Sequence, residues 1–380
     1  MGLPGKKPDG VRSINNHICC LPDITSGIIA TRLTLWRKIM KVGFVYDPIY
    51  LKHDTRQHVE NAGRLKAIIS HLEQTQLIRQ LTPIKPRAAS VEELSLVHHN
   101  SHIQEVAQKG SGWLDPDTVM SADSYQAALY AAGGIIKASE AVMQGEVGSA
   151  FALVRPPGHH ATATRAMGFC LFNNVAIAAK YALTKYNLER IAIIDFDVHH
   201  GNGTQGSFYD NPQVLYTSTH EFPFYPGTGS LDETGRGEAK GTTVNIPLPA
   251  GCGDAEYLEV FEEIMVPVVK RFRPQFILVS AGYDTHWADG LAMMQVSVTG
   301  FAQMVKIIKG LADELCSGRL VFTLEGGYNL TALAASVKAT FDVLLGNTNI
   351  EDPLGLSPRG LAAPNITPLI KKIKEIHNLL

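Results

Sequence analysis

The sequence predicts a single α/β domain with a predominantly parallel central sheet and helices on both faces. Three observations predict it. From residue 42 onward, short apolar runs rich in Val, Ile and Phe alternate with longer stretches of helical period. Gly and Pro gather in the loops only where a strand has just ended, so no linker divides the series. At 380 residues and 45% hydrophobic content, the chain is long enough for one large core, and no internal repeat interrupts it.

Residues 1–39 carry scattered Gly, Pro, Asn and basic residues with no sustained period, and no charged, apolar and small-residue segments in the order of a signal peptide. They are expected to be a disordered extension from an upstream start codon, with the domain at 40–380. Sequencing the native N-terminus tests this, since Met1 or Gly2 found intact would refute the start-codon version. The run VGFVY makes 42–46 the first strand. Leu65, Ile68, Ile69 and Leu72 repeat on one helical face and predict a helix over 63–77. Leu129, Ala132 and Ile136 do the same for 124–143, before a strand at 150–154. A helix over 173–185 leads to strands at 191–195 and 214–218. Tyr257, Phe261, Ile264 and Val268 predict one helix over 256–271, followed by a strand at 276–280. Phe301, Met304, Val305 and Ile308 mark a helix over 299–315, and the strand 320–324 precedes a last helix over 331–345.

The 34 basic and 36 acidic residues are spread along the chain and give a formal charge of -2, which implies no general attraction to nucleic acid or membrane. Five cysteines, an odd number, make no disulfide framework and point to a reducing, cytoplasmic setting. The longest apolar runs are strand-length, far below the roughly 18 residues of a membrane span. Oligomeric state is not legible.

Open α/β sheets bind ligands outside the carboxyl ends of their strands. Four predicted strand ends carry unusual residues: RPPGHH at 155–160, DFDVHHGNG at 195–203, AGYD at 281–284 and EGGY at 325–328. Taken singly, each has a bland reading as a polar loop, a turn former or a packing residue. Their common position at one rim changes the weighing. In extended chain, residues two apart share a face, so Asp197 and His199 can address one point, with Asp195 on the same parity. Asp284, from a neighbouring strand end, completes an Asp, His, Asp set with open positions, as a catalytic zinc site requires. The mixed oxygen and nitrogen donors leave Fe(II), Co(II) and Mn(II) open. His159 and His160 are placed as general base and acid, and Tyr328 as a hydrogen-bond donor to an oxyanion.

Together these motifs, with HVENAGRL at 58–65, GFCLFNN at 168–174 and YPGTG at 225–229, resemble the histone deacetylase family within the arginase-deacetylase fold. The resemblance runs from about residue 40 to about 350. It implies a metal-dependent amidohydrolase that removes an acyl group from an acetylated lysine or other acetylated amine. It implies zinc on Asp197, His199 and Asp284, Tyr328 polarising the carbonyl, His160 as general base and acid, and His159 supporting the charge, oriented by Asp195. Phe169 and Tyr225, with Gly168, resemble the tunnel walls around the lysine methylenes. Asp115 or Asp117 lies where relatives carry a rim carboxylate for the substrate backbone. A structural potassium ion is implied on Asp195 and Ser218 with backbone oxygens of Asp197, His199 and Thr219, and a second monovalent site near Phe208 and Val214.

Asn202 stands where some members have an aspartate behind the second histidine, which should lower the basicity of His160. HHGNG and EGGY bring the chain nearer the class II and bacterial members. Gly63 replaces a glutamate frequent in the family. Acetylpolyamine amidohydrolases share the catalytic residues, but Leu291 stands where one polyamine-specific branch has a glutamate gatekeeper, which favours acetyl-lysine. An arginase-like ureohydrolase would need more bridging aspartates than DFDVHHGNG supplies, and a non-catalytic binding module would not need Tyr328 and both histidines.

Overall fold

The computed structural model describes residues 41–359 and 362–379, with residues 1, 2 and 5. The chain divides into two units, Met1–Met40 and the compact Lys41–Leu380. The extension expected at 1–39 therefore lies, those three residues apart, outside the described residues.

The second unit is built on an eight-stranded sheet whose neighbours all pair in parallel. Its strands are β1 (Val42–Val45), β2 (Thr82–Ile84), β5 (Ser149–Ala152), β6 (Ile191–Asp195), β7 (Val214–Glu221), β8 (Thr243–Leu248), β9 (Phe276–Ala281) and β10 (Leu320–Leu324). A separate two-stranded hairpin is formed by β3 (Gly112–Trp113) and β4 (Val119–Met120). The sheet order is β2-β1-β5-β10-β9-β6-β7-β8. Every residue of β1, β5, β6, β9 and β10 is buried, because helices cover both faces, and these strands accordingly read as apolar runs broken only by Ser149, Asp195, Ser280 and Thr323.

The four strands whose ends carry the unusual residues, β5, β10, β9 and β6, are consecutive in the sheet. Their ends are also level: Asp195 pairs with Ser280, Ser280 with Thr323, and Thr323 with Ala152. One rim is the result.

Among the helices, Ser124–Met143 packs against β1 and β5 and against the helix Asn174–Tyr186, while Gly63–Gln74 and Val298–Leu315 pack against Leu330–Leu345. Several begin on a side-chain cap adjoining the rim. The Asn329 carboxamide accepts from the Ala332 amide at 3.0 Å, and so fixes the exit from the EGGY turn. Asn173 caps Asn174–Tyr186 through the Ala176 amide in the same way. No helix of the described residues is long and apolar enough to cross a membrane.

The sequence reading missed β2, β3, β4 and β8, and the helices Val91–Leu94, Asn100–Lys109, Asn202–Phe208 and Thr367–His377. The helix expected over 256–271 is instead Asp254–Val260 and Val266–Phe272, joined by a π turn at Phe261–Met265.

Candidate active site

Three buried side chains converge at the ends of β6 and β9. Ligand atoms of Asp197, His199 and Asp284 lie within 4.8 Å of one another. Local backbone aims them: the Asp197 carboxylate accepts from the His199 amide at 2.9 Å and the Gly326 amide at 2.8 Å, while Asp284 Oδ1 accepts from the Val198 amide at 3.0 Å. The carboxylates approach two glycines so closely that no other residue would fit. A Cβ on Gly326 would stand 2.0 Å from Asp284 Oδ2, and one on Gly282 would stand 2.1 Å from Asp197 Oδ2. Burial and the Asp197 charge push the Asp284 carboxyl up to about 6. Asp284 Oδ2 is buried without a hydrogen-bond donor. Two repelling carboxylates, one imidazole nitrogen and an unsatisfied oxygen fit a divalent cation, which these three residues could hold.

Beside this point, RPPGHH presents two stacked imidazoles with ring centroids 4.0 Å apart. His160 Nδ1 and Asn202 Oδ1 are 2.9 Å apart; since the carboxamide oxygen accepts, Nδ1 donates and Nε2 keeps a lone pair. Burial and the neighbouring His159 and His199 hold His160 well below the usual imidazole range. His159 is its opposite. Burial disfavours its charged form, but the carboxylates of Asp197 and Asp195 outweigh that and raise it to about 10, with Nδ1 donating to Asp195 Oδ2 at 3.1 Å.

The Tyr328 backbone amide donates to Asp289 Oδ2 at 2.6 Å, and its ring lies edge-on to Phe169 and under the Arg64 guanidinium, 4.9 Å away. Burial raises the phenol well above its usual range, so it stays protonated and able to donate.

These groups open into a cavity of about 200 Å³ lined by His159, His160, His199, Gly168, Phe169, Tyr225, Leu291, Tyr328 and Asp117 among others. Of the two rim aspartates, Asp117 lines the cavity and accepts from the Gly168 amide at 3.2 Å. Asp115 instead closes its own turn by accepting from the amides of Asp117 and Thr118. Asp195, Asn202 and Ser218 stand behind the cavity. Asp195 and Ser218 are cross-strand partners, with the Ser218 hydroxyl 2.8 Å from His220 Nδ1. The backbone oxygens of Asp197 and His199 accept no hydrogen bond from the described residues, so the donors named for a monovalent cation include two idle carbonyls. Phe208 and Val214 are buried nearby.

Four features escaped the sequence reading. Phe224 stacks on His199 at 5.5 Å and lines the cavity. Asp289 holds the Tyr328 and Asn329 amides. Glu325 accepts from the Gly158 and His159 amides at 2.7 and 3.1 Å. Glu60 accepts from both Arg155 and Arg64, two fully buried guanidiniums. Arg64 donates in turn to the carbonyl oxygens of Glu325 and Gly327, tying 58–65, 155–160 and 325–328 together. Glu60, Arg64, Arg155 and Glu325 stand inside quoted motifs, which was the available signal; Phe224 and Asp289 had none.

A family model described as "Histone deacetylase domain" matches residues 58–344. The chain is 40% identical over 357 residues to "Histone deacetylase 14, chloroplastic" of Arabidopsis thaliana, covering 87% of this chain and 83% of that protein. It is 39% identical over 353 residues to a "Probable deacetylase" of Archaeoglobus fulgidus, covering 89% of this chain and 98% of that one. The crystal structure of the HDA15 HD domain superposes with a TM-score of 0.79 at 34% identity, over 90% of this chain and 94% of that one.

Proposed function

Because the chain belongs to the histone deacetylase family, we propose that it is a zinc-dependent deacetylase hydrolysing the amide of an acetylated lysine, in a protein or a small amide. The observation that carries this reading is the convergence of Asp197, His199 and Asp284 beside a charged and a neutral imidazole at one cavity.

Asp197, His199 and Asp284 would hold the zinc. When bound, it supplies Lewis acidity, polarising the acyl carbonyl and lowering the pKa of water. His160 Nε2, with its free lone pair, takes a proton from the attacking water as the new C–O bond forms. As the C–N bond breaks, His160 returns that proton to the departing amine, leaving acetate and free lysine. His159, held charged by Asp195, stabilises the negative charge that develops. The Tyr328 hydroxyl donates to the oxyanion. Phe169 and Tyr225 flank the lysine methylenes, Gly168 and Leu291 complete the walls, and Asp117 accepts from the substrate backbone at the mouth. Asp195 and Ser218, with the idle carbonyls beside them, would hold a structural potassium ion.

The leading alternative is an acetylpolyamine amide cleaved at the same site. Leu291 at the cavity favours lysine, because a polycation would be served by a carboxylate in that place. The buried thiols of Cys170, Cys252 and Cys316 support a reducing compartment, taken here as the cytoplasm, and cell fractionation tests that assignment. Metal analysis coupled to turnover of an acetyl-lysine peptide and of acetylspermidine tests the enzyme reading. About one zinc per chain, activity lost on chelation and restored by zinc, and preference for the peptide are expected. Full activity after metal stripping would sink the mechanism, and a strong preference for acetylspermidine would replace the substrate.

A further inference from the structure

A second cavity, of about 800 Å³, lies at the opposite ends of the strands. Arg190 immediately precedes β6, Leu215 is the second residue of β7, and Lys240 enters β8 through Gly241 and Thr242. Its other wall is the carboxyl end of the helix Val266–Phe272, where Arg271, Phe272 and Arg273 contribute. Four of the lining residues are Arg or Lys and none is Asp or Glu, in a chain whose formal charge is -2.

Two of these cations have structural partners. Arg190 Nε donates to the Arg273 carbonyl at 3.0 Å, and Arg271 Nη1 donates to the carbonyls of His377 and Asn378 at 2.6 and 3.3 Å. Both neutralise helix carboxyl ends, a common use of arginine. Lys240 and Arg273 differ: their side chains have no acceptor among the described residues. Arg273 also holds φ at 55°, in the left-handed region where a helix-ending residue is usually glycine.

The floor is of another kind. Leu215 and Val268 are sealed at 1% exposure each, so the half-buried ring of Phe272 is the apolar surface that meets the space. Cations on the rim over an apolar floor, in a volume typical of small-molecule sites, match an organic phosphate carrying a flat apolar body. Guanidinium groups pair with phosphate oxygens in a two-pronged geometry, and the double charge of a phosphate suits two cations without a counter-ion. We infer that this cavity binds a nucleoside phosphate, with Arg273 and Lys240 on the phosphate oxygens and the ring of Phe272 against the base.

Isothermal titration of the full chain with ADP tests it, with adenosine and inorganic pyrophosphate as comparison probes. ADP should bind, and each comparison probe should bind about tenfold more weakly or worse. The double variant Lys240→Glu, Arg273→Glu should lose ADP affinity on the order of a hundredfold while hydrolysing an acetyl-lysine peptide at the parent rate, which also reports that it folds. Arg273→Gly suits the left-handed backbone and should weaken ADP about tenfold without unfolding risk. No ADP binding, or equal binding by the double variant, overturns the site. Pyrophosphate binding as tightly as ADP overturns the nucleoside part of the assignment.

Discussion

Tyr328 and Asn202 each isolate one chemical property. Tyr328→Phe removes a hydroxyl from a ring otherwise fixed by its backbone and by Phe169 and Arg64. Substrate or hydroxamate affinity should hold while turnover falls on the order of a hundredfold or more, the cost of one oxyanion donor. Comparing kcat with inhibitor Kd checks this, and unchanged turnover removes Tyr328 from the mechanism. Asn202→Asp places a charge where a neutral oxygen now meets His160 Nδ1 at 2.9 Å. A carboxylate there favours imidazolium, so the pKa of His160 rises. A base must be neutral to work, so the acid limb of the kcat/KM profile should move to higher pH. If that limb stays put, His160 is not the group it reports. Phe224 and Asp289 were invisible as site residues because an apolar side chain and a turn former announce nothing until the partner from another strand end is known.

Among the elements, what was legible followed burial. β6, β10 and the helix Ser124–Met143 match the expected bounds to the residue, since each is bounded by a sharp change in hydropathy. The two edge strands were not read: β2 has only three residues and contains Pro83, and β8 contains Pro247 and a buried Asn245. Proline lacks the ladder donor and belongs at sheet edges, which weakens the signal there most. The loops of the site hang together through Glu60. Burial alone would raise its carboxyl, but Arg155, Arg64 and His53 hold it well below the usual carboxylate range. Glu60→Gln leaves two buried guanidiniums short of charge and should cost about 3–5 kcal/mol. Urea unfolding checks it. A change under about 1 kcal/mol would mean that the cluster relaxes to water on losing its acid.

At the scale of the whole molecule, burial keeps several histidines neutral, both behind the site loops and at the C-terminal helix, and this sets its response to acid. Burial holds His98 down to about 3, and burial holds His286 and His377 down to about 4. Unfolded, each would titrate near 6.5. The folded chain therefore binds fewer protons than the unfolded chain once pH drops below that value. Their contribution is fully present above about pH 6.5 and is lost as pH falls through the folded pKa values near 4 and 3. Glu60, also depressed, adds to the same slope at lower pH. The urea midpoint should accordingly fall between pH 6.5 and 4. The double variant His286→Gln, His377→Gln should show a shallower fall over that range, whatever its midpoint at pH 7, because glutamine binds no proton in either state. An identical slope in parent and variant would mean that these imidazoles gain their protons without unfolding the surrounding helices, and that acid acts on the carboxylates alone.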